Sequence, residues 1–272
     1  MNKSIIEEIR KKREFSQLPE KDIEMAYSQF AKRQVTEDEK IKLTKELLRK
    51  IFSAFISKKL LSLKEKEPEW ILRKHISTKE RLNYYKEIYQ RIFEEHKKWE
   101  PPAGSSQLQH PNRKLNVSVI DLGAGINGFS YDFFNNEEIE VDYTAIEAVG
   151  QLVDLMNFYF KKKKLNARGI HLSLFELEKV KKIISEEKKP RIVFLFKVID
   201  ALESLKADYS KELISEVVKV SDKMVVSFAT KSLGNRKKFK ANRTWISEFI
   251  YSNFKVSDDF ELGGERYLVF EK

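Results

Sequence analysis

Two kinds of hydrophobic spacing divide the chain near residue 100. Before it, apolar residues recur every three or four positions and predict helices alone. Ile5, Ile6 and Ile9 make a first amphipathic turn, and Leu18 to Phe30 a second helical segment with Pro19 in its first turn. Thr36 to Leu61 reads as the longest helix. Thr36 and Glu39 suit a capping box, and Ile41, Leu43, Leu47, Leu48, Ile51, Phe52 and Phe55 form its stripe. A short helix is expected around Trp70–Arg73, and another from about Thr78 to Trp99 on Leu82, Tyr85, Ile88, Tyr89, Ile92 and Phe93. Such stripes signify core.

Residues 101–116 carry Pro, Gly, Ser and Asn without periodicity and read as a linker. From Val117 short β-branched runs alternate with helical ones. Strands are predicted at Val117–Asp121, Val141–Glu147, Gly169–Leu174, Arg191–Phe196 and Met224–Ala229. Helices follow at about 128–135, 151–163, up to Glu187, 209–220 and 243–253. Phe254–Phe260 and Arg266–Phe270 flank Gly263-Gly264 as a hairpin. The fold class is therefore α/β: a doubly wound sheet over 117–272 with an antiparallel hairpin at its edge, preceded by an all-helical domain over 1–100.

The stretch Val117–Gly128, VSVIDLGAGING, carries the chemistry. A strand ends at Asp121, and Gly123, Gly125 and Gly128 follow in GxGxxG spacing. Glycine lets the main chain approach a ligand closely, and a helix N-terminus beyond it offers free N–H groups. Glu147, at the end of the next strand, suits the two hydroxyls of a ribose. GxGxxG alone is a weak signal. Asp121 sharpens it, because D-x-G-x-G resembles the S-adenosylmethionine site of class I methyltransferases. A nicotinamide cofactor's pyrophosphate would be repelled by that aspartate.

Composition narrows the partners. Lys and Arg total 52 against 42 acids, a formal charge of +10, which suits a polyanion. There is no cysteine, which excludes disulfides, cysteine-ligated clusters and cysteine nucleophiles, and with the last the covalent route to pyrimidine C5 methylation. The start of the sequence shows no signal-peptide pattern and no stretch has membrane-spanning length, so a cytoplasmic protein is expected. His96 and His110 have no companion at metal-ligand spacing, and no metal is expected. The cations of the N-terminal helices would ordinarily be solvated surface. Here part of them is read as contacting RNA phosphates.

Ligands of such sheets bind beyond the carboxyl ends of the strands. The candidates there are Asp121–Gly128, Glu147, Ser173-Leu174, Lys197 and Lys231-Ser232. Lys197 directly follows an apolar strand, where a lysine also serves merely to reach out of the core. The loop 231–243, KSLGNRKKFKANR, holds Lys231, Arg236, Lys237, Lys238, Lys240 and Arg243, with Phe239 among the cations. Its place after the fifth strand favours phosphate contact with stacking over a plain solvated charge run. An Asn/Asp-Pro-Pro-aromatic motif, common where exocyclic amines of bases are methylated, is absent after the fourth strand, where Lys197-Val198-Ile199-Asp200 stands. Guanine N7 has an available lone pair and needs no deprotonation, so a site that only positions it suffices.

Four stretches resemble the aminoglycoside-resistance 16S rRNA (guanine-N7) methyltransferases, which are class I, Rossmann-like enzymes. They are His75-Ile76-Ser77-Thr78-Lys79-Glu80-Arg81-Leu82, Asp121-Leu122-Gly123-Ala124-Gly125-Ile126-Asn127, Val193-Phe194-Leu195-Phe196-Lys197, and Ser227-Phe228-Ala229-Thr230-Lys231-Ser232-Leu233-Gly234. The likeness spans about residues 70–272 and continues weakly through Trp245 and Gly264-Glu265. It implies that Arg81 reaches the methionine carboxylate of S-adenosylmethionine, that Thr78 shapes that wall, and that Gly123 and Gly125 contact the methionine part. It implies further that Glu147 holds the ribose and that Ser173 and Leu174 border the adenine. Lys197, Lys231 and Ser232 would face the target nucleotide, with Asn127 near the transferred methyl. The partner implied is 16S rRNA in the small ribosomal subunit near the decoding site, met by a monomer whose N-terminal helices dock there. S-adenosyl-L-homocysteine would be the product. Ala124, Asn127-Gly128-Phe129-Ser130, Ala229 and Lys238-Phe239 depart from the family's pattern, and these changes bear on the target nucleotide rather than on cofactor use. Two rival expectations are a methyltransferase for another RNA, base atom or small molecule, and a ribosome-associated binding protein with a vestigial pocket.

Overall fold

The computed structural model describes residues 2–52, 66–74, 76–94, 114–134, 139–230 and 243–272. The chain opens with α1 (Lys3–Arg10), whose first turn is closed by the Asn2 side chain accepting from the Ser4 N–H at 3.1 Å. After a 3-10 turn at Arg13–Phe15, Pro19 leads into α2 (Glu20–Ala31). Next comes α3 (Glu37–Phe52), where Thr36 Oγ1 accepts from the Glu39 N–H at 3.3 Å, half of the capping box expected there. The predicted continuation of this helix to Leu61 lies outside the described residues, as does the linker up to residue 113. A short α4 (Pro68–Leu72) follows. The single helix expected from about 78 to 99 is two in its described part, α5 (Ile76–Arg81) and α6 (Tyr85–Glu94). Asn83 lies in the turn between them, a residue whose side chain competes with the helical ladder.

The predicted alternation then takes shape as a seven-stranded sheet. Its strands are β1 (Leu115–Leu122), β2 (Ile139–Glu147), β3 (Ala167–His171), β4 (Arg191–Phe196), β5 (Lys223–Ala229), β6 (Lys255–Leu262) and β7 (Glu265–Glu271), in the order β3-β2-β1-β4-β5-β7-β6. The first five are parallel, and β7 runs antiparallel between β5 and β6. The helices of this half are α7 (Gly150–Lys163), α8 (Leu177–Glu186), α9 (Ile199–Leu205), α10 (Tyr209–Val217) and α11 (Thr244–Asn253). In the register, Asp121 lies opposite Ala145 on β2 and Phe194 on β4, so the strand ends that carry chemistry open on one side. Gly263 and Gly264 both have positive φ and turn the hairpin as expected.

Three elements differ from the sequence reading. The segment after the glycine turn is a 3-10 stretch, Asn127–Phe134, not an α-helix. Its Phe129, Tyr131 and Phe134 are all buried and point to several sides, which an amphipathic α-helix with one apolar stripe would not allow. Strand β3 stops at His171 instead of Leu174, because Ser173 Oγ accepts from the Phe175 N–H at 3.1 Å and bends the chain toward α8. Helix α9 has too short an apolar pattern to stand out.

One apolar core joins the N-terminal helices to the sheet. Tyr89 on α6 stacks on Phe134 at 4.1 Å between centroids and lies over Phe194 of β4 at 6.0 Å. Its hydroxyl shares a 2.6 Å hydrogen bond with Ser130. Farther out, Gln29 of α2 donates to the carbonyls of Ser204 and Leu205 at 2.6 and 3.0 Å, and so pins α2 to α9. Tyr89→Ala should therefore cost about 3–5 kcal/mol. Because helices and sheet share a core, far-UV circular dichroism and tryptophan fluorescence should report one coincident urea transition that shifts as a whole. Separate transitions for the two halves would contradict the shared core.

Candidate active site

A cavity of about 390 Å³ opens beyond the carboxyl ends of β1, β2, β4 and β5. The glycine turn forms one wall. Gly123 and Gly125 have φ of +68° and +57°, and a Cβ on Gly123 would stand 2.8 Å from Val198 Cγ2. Gly128 serves differently, since a Cβ there would meet Phe160 at 2.7 Å, so the third glycine lets α7 approach. Glu147 ends β2 with its carboxylate at the cavity, accepting from the N–H groups of Gly125 and Val149, both at 2.8 Å. Burial pushes its carboxyl above the ordinary range, against the pull of those N–H groups.

Asp121 and Asn127 sit deeper. Asp121 accepts from Tyr143 Oη at 2.7 Å and from Asn127 Nδ2 at 2.8 Å, and burial pushes its carboxyl up. Asn127 Oδ1 in turn accepts from Arg81 at 3.1 Å and Tyr85 at 2.8 Å. The cation on one side and the carboxylate on the other fix how this amide is turned. Thr78 lines the cavity with its hydroxyl donating to the Leu72 carbonyl at 2.6 Å.

The strongest charges meet at one carboxylate that the sequence reading did not single out. Glu265, 1% exposed, starts β7 and accepts from Arg81 Nε at 2.9 Å and from the Ser227 hydroxyl. Lys197 Nζ lies 3.0 Å from the same carboxylate and 2.8 Å from Glu80. Burial by itself would raise Glu265, but the Arg81 and Lys197 charges more than offset it and hold its carboxyl below the ordinary range. Lys197 reaches this place from a backbone at φ +57°, in the left-handed region, with its N–H on the Ser227 carbonyl at 3.0 Å. For a lysine that conformation carries some strain, and here two buried contacts accompany it. The signal for Glu265 was present, since alternation along β7 puts it on the face of the buried Tyr267 and Val269.

Most of the predicted site residues thus come together. Thr78, Arg81, Asp121, Gly123, Asn127, Glu147, Leu174 and Lys197 line the cavity, with Gly125 beside Glu147. Ser173 is buried behind Leu174, whose carbonyl accepts from Tyr209 Oη at 2.6 Å. Lys231, Ser232, Arg236, Lys237, Lys238 and Lys240 lie outside the described residues. Arg243, expected as an RNA contact, is instead buried at the end of that loop. Its guanidinium donates to Asp200 and, at 2.8 Å, to the Ala229 carbonyl, which sets the loop's exit beside the cavity. An arginine so engaged holds the chain together, and its cation is directed inward.

Glu265→Gln should lower stability by about 3 kcal/mol near neutral pH, because Arg81 and Lys197 lose their shared counter-charge. The folded carboxyl lies below its unfolded value, so its contribution is present above about pH 4 and is lost as pH falls through the folded value. Urea titrations at several pH values should show the gap between variant and wild type closing in acid. A constant gap would contradict the charge-based role.

No family model and no curated protein matches the chain. Solved structures do. The 16S rRNA methylase RmtB aligns over 100% of this chain and 99% of its own, with a TM-score of 0.73 at 16% identity. The 16S rRNA methyltransferase RmtF, solved in complex with S-adenosyl-L-homocysteine, aligns over 100% of both chains with a TM-score of 0.73 at 17% identity. The 16S rRNA methylase ArmA aligns over 78% of this chain and 95% of its own, with a TM-score of 0.54 at 22% identity. Helical N-terminal region, parallel strands, edge hairpin and glycine turn all enter the full-length alignments, and the chain has the class I methyltransferase fold in the form seen in the solved 16S rRNA methylases RmtB and RmtF.

Proposed function

We propose that the protein is an S-adenosylmethionine-dependent methyltransferase of 16S rRNA in the small ribosomal subunit, acting at N7 of a guanine in the decoding region. The observation that carries this reading is convergence. The four stretches that resemble the guanine-N7 enzymes lie far apart in sequence, yet Thr78, Glu80 and Arg81, then Asp121 and Asn127, then Lys197, then Ser227 stand around one cavity. The full-length likeness to 16S rRNA methylases, one of them holding S-adenosyl-L-homocysteine, supports the same cofactor and substrate here.

The residues present fit the cofactor. Glycine backbone at 123 and 125 leaves room for the methionine part, Arg81 offers a cation for its carboxylate, and Glu147 a carboxylate for the ribose hydroxyls. Leu174 and Phe175 give apolar walls for the base. Bound there, S-adenosylmethionine supplies an electrophilic methyl on a sulfonium. The protein's share is to place guanine N7 in line with that methyl, which needs no general base. Lys197 and Lys231 place cations beside the incoming nucleotide. The cations Arg236, Lys237, Lys238 and Lys240, which follow β5 in the sequence, would hold its phosphates. Asn127 orients Arg81 and Asp121 against the cavity wall. The N-terminal helices carry the docking on the subunit.

Methyl transfer from labelled S-adenosylmethionine to intact 30S subunits and to naked 16S rRNA, followed by borohydride–aniline cleavage, tests this reading. Scission at one decoding-region guanine is expected. Label without scission would move the reaction to another atom, and no label on either substrate would overturn the rRNA reading. Lys231→Ala should lower turnover roughly tenfold or more while affinity for S-adenosyl-L-homocysteine stays near wild type. Equal loss of both would place Lys231 in cofactor binding or folding.

A further inference from the structure

The cavity is lined by Glu147 and also by a group that belongs to the N-terminal helices. Asp22, on α2, is one of the residues lining it, close to Ser173 and so to Leu174 and Phe175, which line it too. The residue is only 3% exposed, and among the described residues its Oδ2 has no hydrogen-bond partner. Leaving a buried carboxylate oxygen without a donor is costly, and native proteins seldom do so without use for it. The surroundings make the cost larger. Burial pushes the Asp22 carboxyl up to about 7, the Ser173 hydroxyl opposes this, and the nearby Glu147 and Glu176 add to it.

The missing donor can be specified. With the ribose at Glu147, the part of the ligand within reach of Asp22 is the one that lies against Leu174 and Phe175. That group must have apolar faces and an N–H at its edge, which describes adenine and its exocyclic amine. We propose that Asp22 recognises the adenine of the cofactor by accepting a hydrogen bond from its N6 amino group. The inference rests on the reading of the cavity as an S-adenosylmethionine site and adds a residue from outside the methyltransferase sheet. It makes the N-terminal helices part of the cofactor pocket as well as a docking module. The placement of α2 is firm enough for this, because Gln29 pins its far end to α9 and Gly150 lets Gln17, just before it, pack closely on α7.

Calorimetric titration with S-adenosyl-L-homocysteine and with its 6-oxo analogue, S-inosylhomocysteine, tests the assignment. The analogue presents an acceptor where adenine presents a donor. Wild type should prefer the adenine compound by about tenfold or more. Asp22→Ala should lose about tenfold for the adenine compound and little for the analogue, so the preference collapses. Asp22→Asn, nearly the same shape and able to donate, should bind the analogue more tightly than wild type does. Both variants without ligand should keep the wild-type circular dichroism spectrum, so that a loss of affinity reads on the contact and not on folding. Unchanged affinity in Asp22→Ala, or equal loss for both compounds, would overturn the role of Asp22. Failure of wild type to bind S-adenosyl-L-homocysteine would overturn the cofactor reading itself.

Discussion

A buried carboxylate between two cations holds this molecule's working parts in place. Glu265 is the first residue of β7, Arg81 the last of α5, and Lys197 the residue after β4, so three distant segments meet at one pair of oxygens. Charges removed from water are tolerable only when paired and hydrogen-bonded. Here Ser227 and Glu80 complete the set, and Asn127 carries the network on to Asp121 and the glycine turn. The hairpin, the helix before the sheet and the parallel strands are therefore coupled through the site rather than around it. The left-handed backbone of Lys197 lies in the same place, held by its N–H on the Ser227 carbonyl and its ammonium on Glu265.

This arrangement gives the Glu80-Arg81 pair a physical meaning. Successive residues at the end of α5 reach the two opposite charges of one cluster, Glu80 toward Lys197 and Arg81 toward Glu265. Either residue alone would bury an uncompensated charge. The short turn after Arg81 then redirects the chain, so that Tyr85 and Tyr89 pack on the 3-10 segment while Arg81 keeps to the cavity. One helix running straight through could not satisfy both.

Local patterns made the strand alternation, the glycine turn and the hairpin legible, because period two, period 3.6 and glycine each act over a few residues. What escaped depends on contacts between distant segments. Asp22 stands in a charged run, EKDIE, and only its shared face with Ile23 and Ala26 hinted at burial. Glu265 lay in the weak tail of the family likeness and, by alternation, on the buried face of β7, but neither shows which charges meet it. Arg243 looked like another cation of a basic loop, and nothing short of the fold reveals that Asp200 faces it. The 3-10 segment after the glycine turn follows from aromatic packing on several sides, which spacing along the chain does not express.

The central claim is that one cavity, walled by the glycine turn, Arg81, Glu147 and the N-terminal helix α2, takes S-adenosylmethionine. A crystal structure of the full chain with S-adenosyl-L-homocysteine tests it most directly. The account predicts the carboxylate of the ligand at Arg81, its ribose hydroxyls on Glu147 and its adenine amine at Asp22, with the Glu265 cluster intact. A ligand seated elsewhere, or an empty cavity at saturating ligand, would contradict it.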